Sequence, residues 1–212
     1  MLRDWDMSER SDGKKYKAND MAKLGCGDCA GCSECCRVAE DTIVLDPYDV
    51  YELCRYTGQS FETLLTTGVA LGVVDGLVLP HLQLGENKSG CYYLDAQGRC
   101  SIHAARPGIC RLFPLGRIYE DGDFSYFLQV DECRKPNRTK VKISKWLGVP
   151  RLSQYEAFIN DWHWYLKRLS EKAAACTDET EIRQISMGVL QTFYLTPYDV
   201  TQDFYTQYQA RR

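Results

Sequence analysis

An α+β fold, in which small antiparallel hairpins and loops precede a C-terminal helical segment, is what this sequence predicts. Three observations carry that reading: a dense cysteine run near the N-terminus, three pairs of short β-type segments around Gly-containing turns between residues 69 and 128, and a switch to helical periodicity after Pro150.

Residues 1–24 are mostly polar and charged, with Trp5, Tyr16, Met21 and Leu24 among the few side chains to bury, which predicts a tail or a loosely docked helix. The cysteine-dense segment 26–36 follows at once. Asp46-Pro47 then supplies an N-cap with proline at the first helical position, and Gly58 a terminating glycine, so a short helix spans the interval. Ser60 with Glu62 opens a second helix that ends near Gly68. Val69 to Val74 and Leu77 to Leu79 flank Asp75-Gly76, the signature of a two-residue hairpin, and Pro80 pushes the second strand towards an edge. A second pair, 91–94 with 99–102, is joined by residues 95–98. A third, 117–119 with 124–128, is joined by residues 120–123.

Beyond Pro150, Ser153 to Glu156 has the form of a capping box, and Tyr155, Phe158, Ile159, Trp162, Tyr165, Leu166 and Leu169 recur on one helical stripe. Asp178 to Glu181 opens another helix with Ile182, Ile185, Val189, Leu190 and Phe193 facing inward. Thr196-Pro197 starts a terminal one that carries Phe204 and Tyr208. These stripes read as core, and the helices carry no chemistry of their own.

A chain of 212 residues fits one core with extensions. We divide it into a polar N-terminal tail (1–25), a cysteine-cluster metal-binding domain (26–145) and C-terminal helices packed on the same core (146–212). That length buries roughly 70% of the unfolded surface, so covalent staples are not needed for folding, and the 11 cysteines want another explanation. The formal charge of −3, without a basic block, argues against nucleic acid as a partner. The N-terminus lacks the apolar core of a secretory signal and no stretch approaches a membrane span, which predicts a soluble, cytoplasmic chain with no membrane partner. In a reducing compartment such a cysteine pattern points to metal or catalysis rather than disulfides, and an odd count already prevents full pairing.

The sharpest signal is Cys26-Gly-Asp-Cys29-Ala-Gly-Cys32-Ser-Glu-Cys35-Cys36. Structural cysteines occur singly on apolar faces, whereas these alternate with Gly, Asp, Ser and Glu, which suit a tight loop whose amides turn towards sulfur. Cys91, Cys100, Cys110 and Cys133, each beside glycine, charge or a turn, are the candidates to complete a coordination shell. Adjacent Cys35 and Cys36 are expected to point apart and so to serve different roles. Cys54 and Cys176 lie in helical contexts and read as packing residues.

These residues resemble the YkgJ-type CxxCxxCC cysteine-cluster family. Cys29-Ala-Gly-Cys32-Ser-Glu-Cys35-Cys36 matches its namesake motif, and Cys91-Tyr-Tyr-Leu-Asp, Cys100-Ser-Ile-His and Arg106-Pro-Gly-Ile-Cys110-Arg111-Leu-Phe-Pro resemble its downstream half. The resemblance covers about Cys26 to Cys133 and implies chelation of zinc or iron. A more distant similarity to the flagellin lysine N-methylase group implies an S-adenosylmethionine-linked methyl-transfer option.

Cys26, Cys29, Cys32 and Cys36 reproduce the C-x2-C-x2-C-x3-C order of bacterial iron–sulfur runs, although Arg37 stands where such a run has proline and no second copy follows. Zinc sites draw four thiolates from separated knuckles, and eight thiolates would make two. Iron–sulfur is the favoured cofactor and zinc the alternative, since soft thiolates accept both. Arg37, Arg99, Arg106, Arg111 and Arg134 lie near the candidate ligands, Arg106 and Arg111 foremost as donors that would offset thiolate charge. His103, three residues after Cys100, has ligand-like spacing, whereas His81 and His163 read as ordinary.

No phosphate loop, dinucleotide-binding turn or zincin helix is present, and the CxxxCxxC order of radical S-adenosylmethionine enzymes is missing from these cysteines. The sequence therefore predicts a metal-binding protein with a redox or protein-modifying role. Its partners would be a metal ion or cluster and a protein substrate or redox partner. The competing readings are a methyltransferase-like enzyme and a structural zinc interaction module.

Overall fold

The elements follow the chain as β1 (Met21–Gly25), α1 (Glu34–Arg37), α2 (Pro47–Thr57), α3 (Phe61–Leu65), β2 (Val69–Val74), β3 (Leu77–Leu82), a 3-10 turn (His103–Ala105), α4 (Gly108–Leu112), β4 (Leu115–Glu120), β5 (Asp123–Leu128), β6 (Thr139–Lys142), α5 (Ile143–Leu147), α6 (Leu152–Ala175), α7 (Glu179–Leu190), a π turn (Gln191–Leu195) and α8 (Phe204–Arg211). This computed structural model describes residues 10–27, 32–38, 43–85 and 90–212. The α+β expectation holds, with two-stranded antiparallel sheets β1–β6, β2–β3 and β4–β5.

Over residues 21–25 the expected tail or loosely docked helix is a strand instead. Ala22 and Leu24 are buried while Met21 and Lys23 face solvent, the period of two that a half-buried strand requires. Met21 stands opposite Lys142 and Gly25 opposite Thr139. Ahead of it, Tyr16 exchanges backbone hydrogen bonds with Tyr126, at 2.8 and 2.9 Å. A strand of five residues with only Ala22 and Leu24 buried left little signal in the sequence.

Helix α2 is built as its sequence demands. Asp46 and Asp49 form a reciprocal capping box, Pro47 occupies the first turn, and Gly58 closes the helix at φ 69°. Ser60 caps α3. The β2–β3 hairpin turns on Asp75-Gly76, both at positive φ as a type I′ turn needs. As expected, Pro80 lies on an edge strand, since the sheet has two strands only. Leu45 N–H donates to Pro80 O and Leu82 N–H to Ile43 O, so residues 43–45 cover β3, and the proline's missing donor falls on that side. Among the described residues, no segment pairs with the outer edge of β2.

The third hairpin forms as expected, lengthened to β4 and β5 with a two-residue turn at Asp121-Gly122. The second does not form as strands. Its arms share an isolated Leu94↔Cys100 bridge and a Ser101 N–H to Tyr93 O hydrogen bond of 2.8 Å instead of a ladder, because the Asp95 carboxylate accepts from the N–H groups of Gln97 and Arg99 and folds residues 95–99 into a tight turn.

Helix α6 starts at Leu152 after Arg151 in a left-handed conformation, so Ser153 sits inside the first turn and the expected capping box is not made. The terminal helix starts at Phe204 under an Asp203 cap rather than at Thr196-Pro197. The aromatic stripe is core as expected: Phe158 packs edge-on against Tyr208 at 4.8 Å and Trp162 against Phe193 at 4.9 Å. One contiguous cluster of buried residues runs from Ala22 to Tyr208. Tyr194 Oη donates to Leu45 O at 2.9 Å and thereby ties the C-terminal helices to the segment before α2. Among the described residues, no helix is long and apolar enough to cross a membrane.

His163 stacks on Tyr119 with ring centroids 3.5 Å apart and planes within 6°. Burial pushes its pKa down to about 4. Because the folded value lies below the unfolded one, its contribution to stability is complete above about pH 6.5 and is lost as pH falls towards 4. With solvent screening at a half-buried ring, the loss is roughly 1–2 kcal/mol. Urea titrations of wild type and His163→Phe between these pH values should show the wild type losing more stability, and equal slopes would contradict the assignment.

Candidate metal centre

The site is assembled on turns rather than on long elements. Ser33 O accepts from Cys36 and Arg37 N–H, which winds α1 into a single turn, and Arg37 Nε bonds back to Ser33 Oγ at 2.9 Å. The chain then returns at Gly90. Cys91 N–H donates to Cys36 O at 2.8 Å, an approach open only to glycine at position 90, where φ is 98° and a Cβ would stand 2.6 Å from that same oxygen. The 95–99 turn brings Cys100 back beside Leu94, and His103 N–H closes onto Cys100 O. Pro107 leads into α4, which carries Cys110.

Of the nine sequence-predicted ligands, Cys35, Cys36, Cys91, Cys100 and Cys110 lie within electrostatic reach of one another. Cys35 is exposed and the others half-buried. The neighbouring Cys36 lowers the pKa of Cys35, while Cys35, together with burial, raises that of Cys36. Burial raises Cys91, Cys100 and Cys110 as well, with Asp49 adding to the effect on Cys110. Thiols pushed up in this way release their protons when a cation arrives to compensate the charge.

Cys26 follows the Gly25–Thr139 pairing at the end of β1, and Cys32 precedes α1. The residue after Cys133, Arg134, reaches Glu34 of α1 at 3.8 Å. Cys29 lies outside the described residues. Among the described residues, no three His, Cys, Asp or Glu side chains are gathered closely enough to share one metal ion.

Arg106 faces both Cys35 and Cys100 electrostatically. Its Nη1 also contacts His103 Nε2. An arginine can only donate, so His103 accepts with the lone pair that a metal would need at Nε2. Arg111 spends its donors differently: Nε bonds Arg106 O at 3.0 Å and Nη2 bonds Ala104 O at 2.6 Å, so it fixes the loop that presents Arg106. Outside the cluster, Cys54 is half-buried on α2, and Cys176 donates to Glu181 Oε2 at 3.2 Å.

Sequence reasoning missed Asp49. Its Oδ1 accepts from Gly108 N–H at 2.7 Å and its Oδ2 from Asp46 N–H at 3.1 Å, so one buried carboxylate joins the start of α2 to the start of α4. A Cβ on Gly108 would overlap the Tyr155 hydroxyl, which explains the glycine there. The Asp46-x-x-Asp49 spacing announced the cap, but nothing local announced the second contact.

An α+β chain that returns thiols from separate segments to short, hydrogen-bonded turns beside a guanidinium has the construction of a metal-chelating domain. Residues 28–139, more than half of the chain, match the CxxCxxCC family, described as "Putative zinc- or iron-chelating domain", and the chain belongs to that family. No curated protein and no solved structure matches it.

Proposed function

We propose that this chain holds an iron–sulfur cluster on thiolates drawn from the 26–36 run and from Cys91, Cys100 and Cys110, with Cys133 as a further ligand, and that it exchanges electrons with a protein partner. The observation that carries the reading is the return of separate segments to one place, where Cys91 N–H bonds Cys36 O and Cys35, Cys36, Cys91, Cys100 and Cys110 come within electrostatic reach, with Arg106 influencing Cys35 and Cys100. Thiolate-rich clusters carry net negative charge, and a guanidinium beside sulfur offsets it and tunes the potential. The donor set is sulfur throughout, since His103 directs Nε2 at Arg106. In a reducing compartment such as the cytoplasm these thiols stay free to bind.

The test is electron paramagnetic resonance of anaerobically purified protein before and after dithionite. A signal that appears on reduction, and is lost in Cys100→Ser, is expected. Protein filled with zinc, without sulfide and silent in both states, would replace this reading by a structural zinc module.

A further inference from the structure

The two sides of the β2–β3 hairpin are treated unequally. On the outer side of β3 three backbone groups are taken: Val78 N–H donates to Ser186 Oγ at 2.8 Å, Pro80 O accepts from Leu45, and Leu82 N–H donates to Ile43 O. Helix α7 packs against this strand. On β2 the phase of the ladder follows from the turn. With Asp75-Gly76 as a two-residue loop, Val74 and Leu77 close the hairpin, so alternate residues Leu71 and Val73 direct their N–H and C=O groups away from β3. No described residue hydrogen-bonds to those outward groups.

The same two residues expose their side chains, Leu71 at 42% and Val73 at 75% of full accessibility. Edge strands are ordinarily protected by charge, proline or a bulge. The strand Val69-Ala-Leu-Gly-Val-Val74 has neither charge nor proline, and its pairing with β3 is regular from end to end.

We infer that β2 is a self-association edge, on which a second copy of this chain pairs its own β2 antiparallel to form a four-stranded sheet. A second copy suits this edge because β2 is complementary to itself in one antiparallel register. With Gly72 opposite Gly72 of the partner subunit on the two-fold axis, Leu71 stands opposite Val73 of the partner subunit and Val73 opposite Leu71 of the partner subunit. Each exposed apolar side chain then gains an apolar cross-strand neighbour on the same face, and each outward backbone group meets a complementary one. Gly72 puts no side chain on the axis, and the hairpin itself disfavours one there, since a Cβ would stand 3.1 Å from the His81 ring. An isologous contact of this kind closes on itself and leaves no further edge to propagate.

Sedimentation equilibrium of the full-length, metal-loaded chain from about 5 to 500 µM tests the inference. Wild type should fit a monomer–dimer equilibrium. Val73→Lys and, separately, Leu71→Lys should weaken it by about tenfold or more, since each places like charges near the axis. Both positions are exposed, and unchanged far-ultraviolet circular dichroism will show that the variants fold. Amide exchange at Leu71 and Val73 should slow as wild-type concentration rises. A wild type that stays monomeric over the whole range, or a dimer indifferent to both lysines, overturns the inference. The readout does not depend on which metal is bound.

Discussion

Asp49→Ala is expected to cost about 3 kcal/mol of stability and to lower metal content in the same sample. The carboxylate is 4% exposed and both of its oxygens are occupied by backbone donors, Gly108 N–H and Asp46 N–H. Truncation leaves both donors without an acceptor, at roughly 1–3 kcal/mol for each buried one, and removes half of the capping box of α2. The relief of desolvating a buried carboxylate offsets part of this. The effect reaches the metal centre because α4 begins at Gly108 and Cys110 lies within it. Urea denaturation with metal analysis of the folded fraction checks both parts. A midpoint shift equivalent to less than about 1 kcal/mol would mean that Asp49 does not hold α4 in place.

Removal of the metal by a strong chelator under reducing conditions is expected to have the largest effect of all, and an uneven one. Residues 32–38 and 90–107 are held by turns and single bridges around the thiols, whereas α6, α7 and α8 are packed through Phe158, Trp162, Phe193 and Tyr208. Metal binding to thiolates is itself folding free energy for the segments that carry them, on the order of 5 kcal/mol or more. Peptide-resolved hydrogen exchange should therefore show protection lost around Cys36, Cys91, Cys100 and Cys110 and retained in α6 to α8. Uniform loss, or none, would contradict a structural role for the metal.

Local grammar made much of this fold legible. The Asp46-Pro47 start, the Gly58 stop, the Asp75-Gly76 turn and the aromatic spacing of α6 each act within a few residues, and each element formed where its signal lay. What escaped is non-local or competitive. Strand β1 depends on a partner more than 100 residues away. The segment pair 91–94 and 99–102 has β-type residues, but the Asp95 side chain draws the connection into a tight turn. The proline marked β3 as an edge strand, but nothing local announced that residues 43–45 cover it.

The candidate centre was legible through cysteine density, which packing does not produce. Its internal arrangement was not, because it is set by contacts between distant segments: Cys36 with Cys91, Arg106 with His103, Asp49 with Gly108. Arg111 was recognised by its proximity to Cys110, yet its donors serve the backbone of Ala104 and Arg106.

The most direct measurement is iron, zinc and acid-labile sulfide per chain after strictly anaerobic purification, in wild type and in Cys91→Ser, Cys100→Ser and Cys110→Ser. Iron with matching sulfide in the wild type, depleted in all three variants, is the predicted result. A wild type free of both iron and zinc, or metal retained in full by all three variants, would contradict the assignment of these thiols to a metal centre.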